Sequence, residues 1–255
     1  MALYDGKNIK GSIGKLSFRK RDKKTTTIQS NPGKGTMKQT PATKKSASLF
    51  GSVVSPLAKH IRHNLQHLVN GFYDIKMVNR MNSDIAIIIN QHLQEDRQIV
   101  FNQDSFNRLN GFEFNTKSLL IDSLLISPKL SFENSQVQLT FPALKVAKDL
   151  KFRVGSNKVM LQIQPVFFCL AKGLWLKPTM QTICLEKGQA ITAIQNFNYS
   201  FPKGTTCLFG IGLVFFNGSI AINDKIFNPA GICASAYNEG TIDETELTGW
   251  FKMGL

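Results

Sequence analysis

The sequence predicts an α+β protein: a basic N-terminal β-hairpin arm, two to three helices, and then an antiparallel β-sandwich of about seven to nine strands. Three observations support this prediction. Apolar and polar residues alternate in the first 30 residues, apolar residues recur at helical spacing between about 41 and 95, and short β-branched and aromatic runs dominate after 111. Helices followed by strands, without βαβ alternation, are typical of α+β domains.

The N-terminal arm, residues 1–40, contains two strand-like stretches. Polar and apolar residues alternate from Lys15 to Arg19, residues 22–24 can turn, and residues 25–28 are rich in β-branched side chains. A two-stranded hairpin alone is only marginally stable in water. We therefore expect the arm to pair with a sheet on a second copy of the chain. The expected apolar contacts in this subunit-contact arm are Ile13, Leu16, Phe18 and Ile28.

The positive charge of the chain is concentrated in the same arm. Of the formal net charge of +14, residues 1–45 carry +10, from twelve Lys or Arg against two Asp, and the other 210 residues carry +4. An arm of this kind needs an anionic partner. The expected basic contacts are Lys15, Arg19, Lys20, Arg21, Lys23 and Lys24.

Two anionic partners fit this charge. An acidic tail, at and before the C-terminal segment 241–255, places four carboxylates within eight residues: Glu239, Asp243, Glu244 and Glu246. One hypothesis pairs the arm of one copy with this tail on a neighbour. The alternative is nucleic acid, whose phosphates attract Lys and Arg whatever its sequence. Phe18 is the one aromatic residue among these basic positions, fewer than base-stacking surfaces usually carry.

The helical region, residues 41–110, begins at Thr40 and Pro41, which suit an N-cap and a first helical position. Pro56 predicts either a kink or a second helix start. The apolar stripe then continues to an Asn-Gly pair, and a further helix is predicted between about 75 and 95.

The β-sandwich domain, residues 111–240, is predicted from short strand-like runs separated by turn residues. Residues 159–170 and 207–216 are the most apolar runs and are expected at the centre of a sheet. Asn217 and Gly218 after the second run predict a hairpin turn. The candidate strands are 119–126, 129–132, 137–141, 151–154, 159–170, 176–185, 190–199, 207–216, 219–223 and 233–237.

The sequence predicts no catalytic residues, metal or cofactor. The glycines and lysines of the arm do not match a phosphate-binding loop, and no nucleophile–histidine pair is visible. Four cysteines without C-x-x-C spacing favour buried, reduced thiols. His60, His63 and His67 share one helix face and are expected to line a polar face, or the groove to the next helix, rather than bind a metal. Scattered carboxylates leave an enzyme as a third, weaker alternative.

Three motifs resemble those of a group of uncharacterised proteins common in Bacteroidota. They are G-x-x-G-x-L-x-F at 11–18, an FG-containing helix at 40–51 followed by Lys59-His60-Ile61-Arg62, and L-x-G-F-E-F-N at 109–115. Members of that group often have Tyr where Arg19 stands here, which argues against a stacking role for the arm. The resemblance implies a bacterial origin and a shared order of arm, helices and β domain, and it implies no activity.

These observations favour a non-enzymatic structural subunit that self-assembles into a filament, tube or particle shell, using its arm for a strand-exchange-like contact with a neighbouring subunit. The alternative is a nucleic-acid-binding protein that contacts phosphate through the basic arm. The start of the chain lacks the apolar run of a secretory signal peptide, and no segment approaches the roughly 18 apolar residues of a membrane span. We therefore expect synthesis in the bacterial cytoplasm, with release of an assembly by another route left open.

Overall fold

The computed structural model describes residues 2–4, 6, 9–20, 26–30, 40–133 and 135–253. It confirms the α+β class, with few helices and large antiparallel sheets. The chain divides into two compact units, Met1–Leu49 and Phe50–Leu255. Among the residues described, no helix is both long and apolar enough to cross a membrane.

The first unit contains a four-stranded antiparallel sheet whose strands lie in sequence order. The strands are β1 (Ala2–Tyr4), β2 (Ile9–Ile13), β3 (Leu16–Lys20) and β4 (Thr26–Ser30). The two strands predicted for the arm are present as β3 and β4, and β1 and β2 extend them into a larger sheet. The turn predicted at 22–24 lies outside the described residues.

Helix α1 (Pro41–Leu49) begins where the sequence predicts a helix start. The Oγ1 atom of Thr40 accepts a hydrogen bond from the backbone N–H of Thr43 at 3.2 Å, which satisfies one donor of the first turn. Pro41 occupies the first helical position, where a missing N–H costs nothing.

The second unit begins with a π-helical turn, Phe50–Val54, and continues as α2 (Ser55–Val69) and α3 (Met77–His92). Pro56 lies in the first two positions of α2, directly after the π-helical turn, and Val54 keeps right-handed helical angles. The irregularity predicted at Pro56 is therefore a π-helical turn that leads directly into α2. Helix α2 ends at Asn70, whose left-handed φ of 50° closes the last turn.

Two long strands form the centre of an eight-stranded antiparallel sheet in this unit. In chain order the strands of the unit are β5 (Phe112–Glu113), β6 (Lys129–Glu133), β7 (Gln136–Phe141), β8 (Lys158–Cys169), β9 (Leu174–Leu176), β10 (Gln181–Glu186), β11 (Gln195–Ser200), β12 (Thr205–Asn217), β13 (Ile220–Ala221), β14 (Ala230–Asn238) and β15 (Phe251–Lys252). The sheet order is β15-β9-β8-β12-β14-β5, with β10 also on β8 and β13 on β12. The predicted central position of β8 and β12 is confirmed.

A smaller sheet with the order β11-β7-β6 completes the sandwich. Side chains from β7 and from the large sheet share one buried core, which includes Leu139, Phe141, Ile163, Phe209 and Phe215. Since alternate residues of β12 enter this core, its remaining residues face the other side of the sheet.

Helix α2 packs closely against that other side of β12, where the strand carries two glycines. A Cβ atom on Gly210 would lie 2.6 Å from Cδ1 of Leu68 and 2.8 Å from Cδ2 of Leu65, and one on Gly212 would lie 3.1 Å from Cβ of Leu68. The glycines therefore allow the helix to approach the strand. Burial on both faces explains why β12 is apolar throughout rather than alternating.

The strand predicted over 119–126 is wrong, because this segment forms the short helix α4 (Leu120–Ser123). Both carboxylate oxygens of Glu113 accept the backbone N–H of Leu120 at 2.9 Å, which stabilises the first turn of α4. Periodicity alone did not reveal this contact, since Glu113 precedes the helix by seven residues. A second helical turn, α5 (Val146–Asp149), was not predicted either.

Two other predicted strands change for local reasons. Residues 151–154 form no strand, because the backbone turns at Arg153, whose carbonyl oxygen accepts the N–H of Ser156 at 3.0 Å. The run predicted over 176–185 is divided into β9 and β10. Pro178 lies in the break and has no N–H to donate to a ladder.

Candidate functional site

The four apolar arm residues predicted to contact a neighbour lie on one face of the first-unit sheet, which we call the apolar arm face (Ile13, Leu16, Phe18 and Ile28). Ile13 pairs with Leu16 across β2 and β3, and Phe18 pairs with Ile28 across β3 and β4. Leu16 and Phe18 are two residues apart, so all four side chains point to the same side. Ile13, Leu16 and Ile28 are 56%, 45% and 59% exposed. A cluster of exposed apolar side chains is typical of an interaction surface.

The basic arm residues border this face rather than cover it. Lys15 lies in the turn between β2 and β3. Arg19 points to the opposite face of β3, and Lys20 lies at the end of the strand on the apolar side. All three side chains are exposed. The other predicted basic contacts lie outside the described residues: Arg21, Lys23 and Lys24.

The acidic tail has contacts within its own chain. Oε1 of Glu239 accepts the backbone N–H of Gln103 at 2.8 Å, and Oε1 of Glu244 lies 2.5 Å from Nζ of Lys172. The hydrogen bond from Lys172 lowers the pKa of Glu244. Asp243 caps the 3₁₀ turn that follows it. All four acidic side chains remain exposed, so these contacts hold the carboxylates at the surface of the second unit.

An apolar groove of about 370 Å³ opens on the second unit. Its walls come from the π-helical turn, the start of α2, the end of α3 with the loop that follows it, and several residues between 170 and 253. The principal apolar wall residues are Val53, Leu57, Ile99, Phe101, Leu170 and Met253. Sequence reasoning did not identify this groove, because its walls come from segments up to 200 residues apart.

Charged residues of both signs lie beside the apolar groove, in similar number. The carboxylates are Glu95, Asp96, Glu239 and Glu244. The first three lie within two residues of a wall side chain, and Glu244 is paired with Lys172, whose neighbour Ala171 is in the wall. By the same criterion the cations beside the groove include Arg97, Lys172, Lys203 and Lys252. Part of the predicted acidic tail therefore borders an apolar surface.

A second cleft, of about 480 Å³, lies between α2 and the segment that leads into α3. We call it the cationic cleft, because Lys59, Arg62, His63 and His67 are in its walls. Two of the three predicted histidines thus line the groove to the next helix. No group of three or more His, Cys, Asp or Glu within the described ranges is arranged to hold a metal ion.

Glu113 is a half-buried carboxyl group at the junction of α3, β5 and α4. Burial raises its pKa to about 7. Nη2 of Arg80 donates to the backbone oxygen of Glu113 at 2.8 Å and to Oδ2 of Asp74 at 2.5 Å. The carboxylate of Glu113 also accepts the backbone N–H of Leu120, so Glu113 connects α3, β5 and α4, which indicates a structural role.

The four cysteines are free thiols, and one of them differs from the sequence prediction. Cys169 and Cys207 are buried and Cys233 is half-buried, but Cys184 is exposed. Cys184 lies on β10, a strand whose alternate side chains face solvent. Burial raises the pKa of Cys233 to about 12 and also raises the pKa of Cys207.

No family model matches the chain, and no curated protein and no solved structure matches it either. The resemblance to the Bacteroidota group therefore stays a prediction, and the functional argument depends on the surfaces described above.

Proposed function

We propose that this protein is a non-enzymatic structural subunit that self-assembles, with the apolar arm face of one copy docked in the apolar groove of another. The observation that supports the proposal is the exposed apolar face of a sheet with basic surroundings, in a chain that also has an apolar groove. The arm offers an exposed apolar face, and the groove offers an apolar concave surface with Glu239 and Glu244 of the acidic tail beside it.

The apolar contact supplies only part of the binding free energy. Burying one aliphatic side chain contributes about 1.5–3 kcal/mol. Ile13, Leu16 and Ile28 are each about half exposed, so their remaining surface contributes roughly 3–4 kcal/mol together. That corresponds to about millimolar affinity. Backbone pairing at the edge strands β1 and β4, together with charge attraction, is expected to strengthen the contact.

Charge favours contact between arm and groove over contact between two arms. Residues 1–45 carry a net charge of +10, so two arms repel each other, whereas carboxylates and cations are nearly balanced beside the apolar groove. Complementary charge raises the association rate and penalises the wrong arrangement. Contact between two different surfaces continues from copy to copy unless it closes a ring. A filament, tube or shell is therefore the expected product.

A second candidate function is nucleic-acid binding through the arm. Arg19 favours it, because this exposed side chain points away from the apolar arm face and can contact phosphate whether or not that face is occupied. The affinity for DNA or RNA would then fall steeply with salt and fall again in Arg19→Gln, while a substitution on the apolar arm face would leave it unchanged.

The test of self-assembly is the mass of the full-length protein in solution, measured by sedimentation velocity over a concentration series and accompanied by negative-stain imaging. The expected result is a mass that rises with protein concentration, regular polymers on the grid, and partial dissociation at high salt, because salt screens the charge attraction. A monomeric mass at every concentration would overturn the proposal.

A further inference from the structure

We propose that the cationic cleft binds a phosphate group, either as inorganic phosphate or as the monoester of a small molecule. The cleft lies wholly on the second unit, and its wall residues are distinct from those of the apolar groove. The inference is therefore independent of self-assembly.

One face of α2 supplies the polar wall of the cleft. Lys59, Arg62, His63, Gln66 and His67 are spaced three, four, seven and eight residues from the first of them, so they share a helix face. Within the part of the chain that the structure describes, no Asp or Glu lines the cleft. The wall therefore offers hydrogen-bond donors and positive charge without a competing carboxylate.

Arg62 is the residue that most clearly indicates an anion. It is half-buried, and its Nη1 donates to the neutral amide oxygen of Asn82 at 3.2 Å. Burial lowers the pKa of Arg62. Of the other four arginines of the second unit, Arg97 is exposed, and three reach carboxylates, in the pairs Arg80–Asp74, Arg108–Asp84 and Arg153–Asp224.

Arg62 forms no such pair with any described carboxylate. Partial burial takes hydration from a guanidinium group, and an anion restores the lost interaction. An anion in the cleft would therefore give Arg62 a charged partner in addition to the amide of Asn82.

The chemistry of the cleft favours phosphate over a single carboxylate. A guanidinium group offers parallel N–H donors that match two phosphate oxygens. A phosphate monoester carries about −1.5 to −2 charges near neutral pH. Lys59 can balance the second charge, and the imidazole rings of His63 and His67 can donate hydrogen bonds to the phosphate oxygens.

The size of the cleft leaves room beyond the phosphate itself. Its volume of about 480 Å³ is large for one inorganic ion, and Tyr73, Met77 and Val78 form a less polar wall. A small organic group attached to the phosphate would contact these side chains. Pockets that combine apolar walls with a few placed polar groups are typical of small-molecule sites.

Isothermal titration calorimetry of the full-length protein at constant ionic strength tests the inference. One series of titrations uses inorganic phosphate, and a second series uses glycerol phosphate and a nucleoside monophosphate. Arg62→Gln should weaken phosphate binding at least about tenfold, because a hydrogen bond to a charged group is lost. The matched control, Arg108→Gln, loses the same charge and an exposed ion pair outside the cleft. It should change affinity less than about twofold.

The two series of titrations distinguish the source of the phosphate. Tighter binding of a monoester than of inorganic phosphate assigns an organic ligand, and equal or weaker binding assigns the free ion. If Arg62→Gln unfolds the protein, Lys59→Gln replaces it as the test, because Lys59 is exposed. Lys59→Gln should weaken phosphate binding several-fold. Wild-type protein that binds none of these probes, or variants that bind as tightly as wild type, would overturn the inference.

Discussion

Phe18 on β3 lies directly opposite Ile28 on β4, and both side chains face the same side of the first-unit sheet. The same register places Thr27 and Gln29 on the other side, next to Ile28 along the strand. Substitutions at neighbouring residues of β4 therefore change opposite faces of the first-unit sheet. This relationship allows the two faces to be tested with substitutions of the same chemistry.

Ile28→Lys should weaken self-association at least about tenfold, because the docked arm would have to bury a charged ammonium group. Gln29→Lys adds the same charge to the same strand on the opposite face and should leave association close to wild type. Sedimentation velocity at matched concentrations measures both. Equal association of the two variants would exclude the apolar arm face as the contact.

Ala171→Lys should weaken association from the other side of the proposed contact. Ala171 is an exposed wall residue of the apolar groove, so lysine there adds bulk and positive charge where the basic arm is expected to dock. Ala193→Lys, at an exposed position between β10 and β11, is the matched control. If both variants assemble as wild type does, the arm docks elsewhere.

A mixture of the two disabled variants tests the polarity of the contact. Ile28→Lys keeps an intact groove and Ala171→Lys keeps an intact arm, so a mixture can form one contact per pair and should stop at a one-to-one dimer. Native mass spectrometry of the mixture would detect it. Contact between two arms predicts no such rescue, because one arm of every pair would be defective.

Gly210→Ala should destabilise the second unit by about 1–3 kcal/mol, because overpacking forces α2 away from β12. The added Cβ would lie 2.6 Å from Cδ1 of Leu68. Gly51→Ala is the control, since a Cβ there has no neighbour within 4 Å. The control should be neutral or stabilising by up to about 1 kcal/mol, because alanine favours helix. Urea unfolding of both variants gives the free energies, and equal values would contradict the close packing.

Glu113→Gln should change how stability depends on pH. The pKa of Glu113 is raised in the folded protein from 4.5 to about 7. Below pH 4.5 the carboxyl group of Glu113 is protonated in both the folded and the unfolded protein. As the pH rises through this window the unfolded chain loses its proton first, so the free energy of unfolding falls, and above about 7 it falls no further.

The glutamine variant cannot ionise and should lose this slope, which amounts to on the order of 2 kcal/mol after allowance for partial exposure. Urea unfolding at several pH values across the window measures the effect. The exposed Glu186→Gln serves as the control and should retain the wild-type slope. A Glu113→Gln protein with an unchanged slope would contradict the assigned shift.

Thiol labelling of the native protein should show one fast-reacting cysteine. Cys184 is exposed, whereas burial raises the pKa of Cys169 and Cys207 and keeps them protonated and inaccessible. Cys184→Ser should remove the fast phase in a kinetic assay with a chromogenic disulfide. A fast phase that survives the substitution would mean that another thiol opens to solvent.

The sequence predicted those parts of the fold that have a local signal. Strands β8 and β12 were recognisable because both of their faces are buried, which requires a continuous apolar run. The start of α1 was recognisable from a cap and a proline. Helix α4 was missed because Glu113 stabilises it from a separate element, and hydrophobic pattern carries no information about that hydrogen bond.

The candidate site was predicted only in part for the same reason. Alternation identified the apolar residues of the arm, and cross-strand register then placed them on one face. The apolar groove had no such signal, since Val53 and Met253 meet only after the strands have paired. The basic face of α2 was visible in the spacing of its histidines, but the missing counter-ion of Arg62 depends on which carboxylates fold near it.

The four strands of the arm pair in sequence order, each with its neighbour along the chain. Local pairing of this kind forms quickly, because each strand pairs with the one that precedes it in the chain. During translation the arm therefore emerges and folds while β8 and β12 have yet to be synthesised. If the arm docks as proposed, a nascent chain meets the grooves of completed molecules before it has one of its own, and growth of the assembly begins on the ribosome.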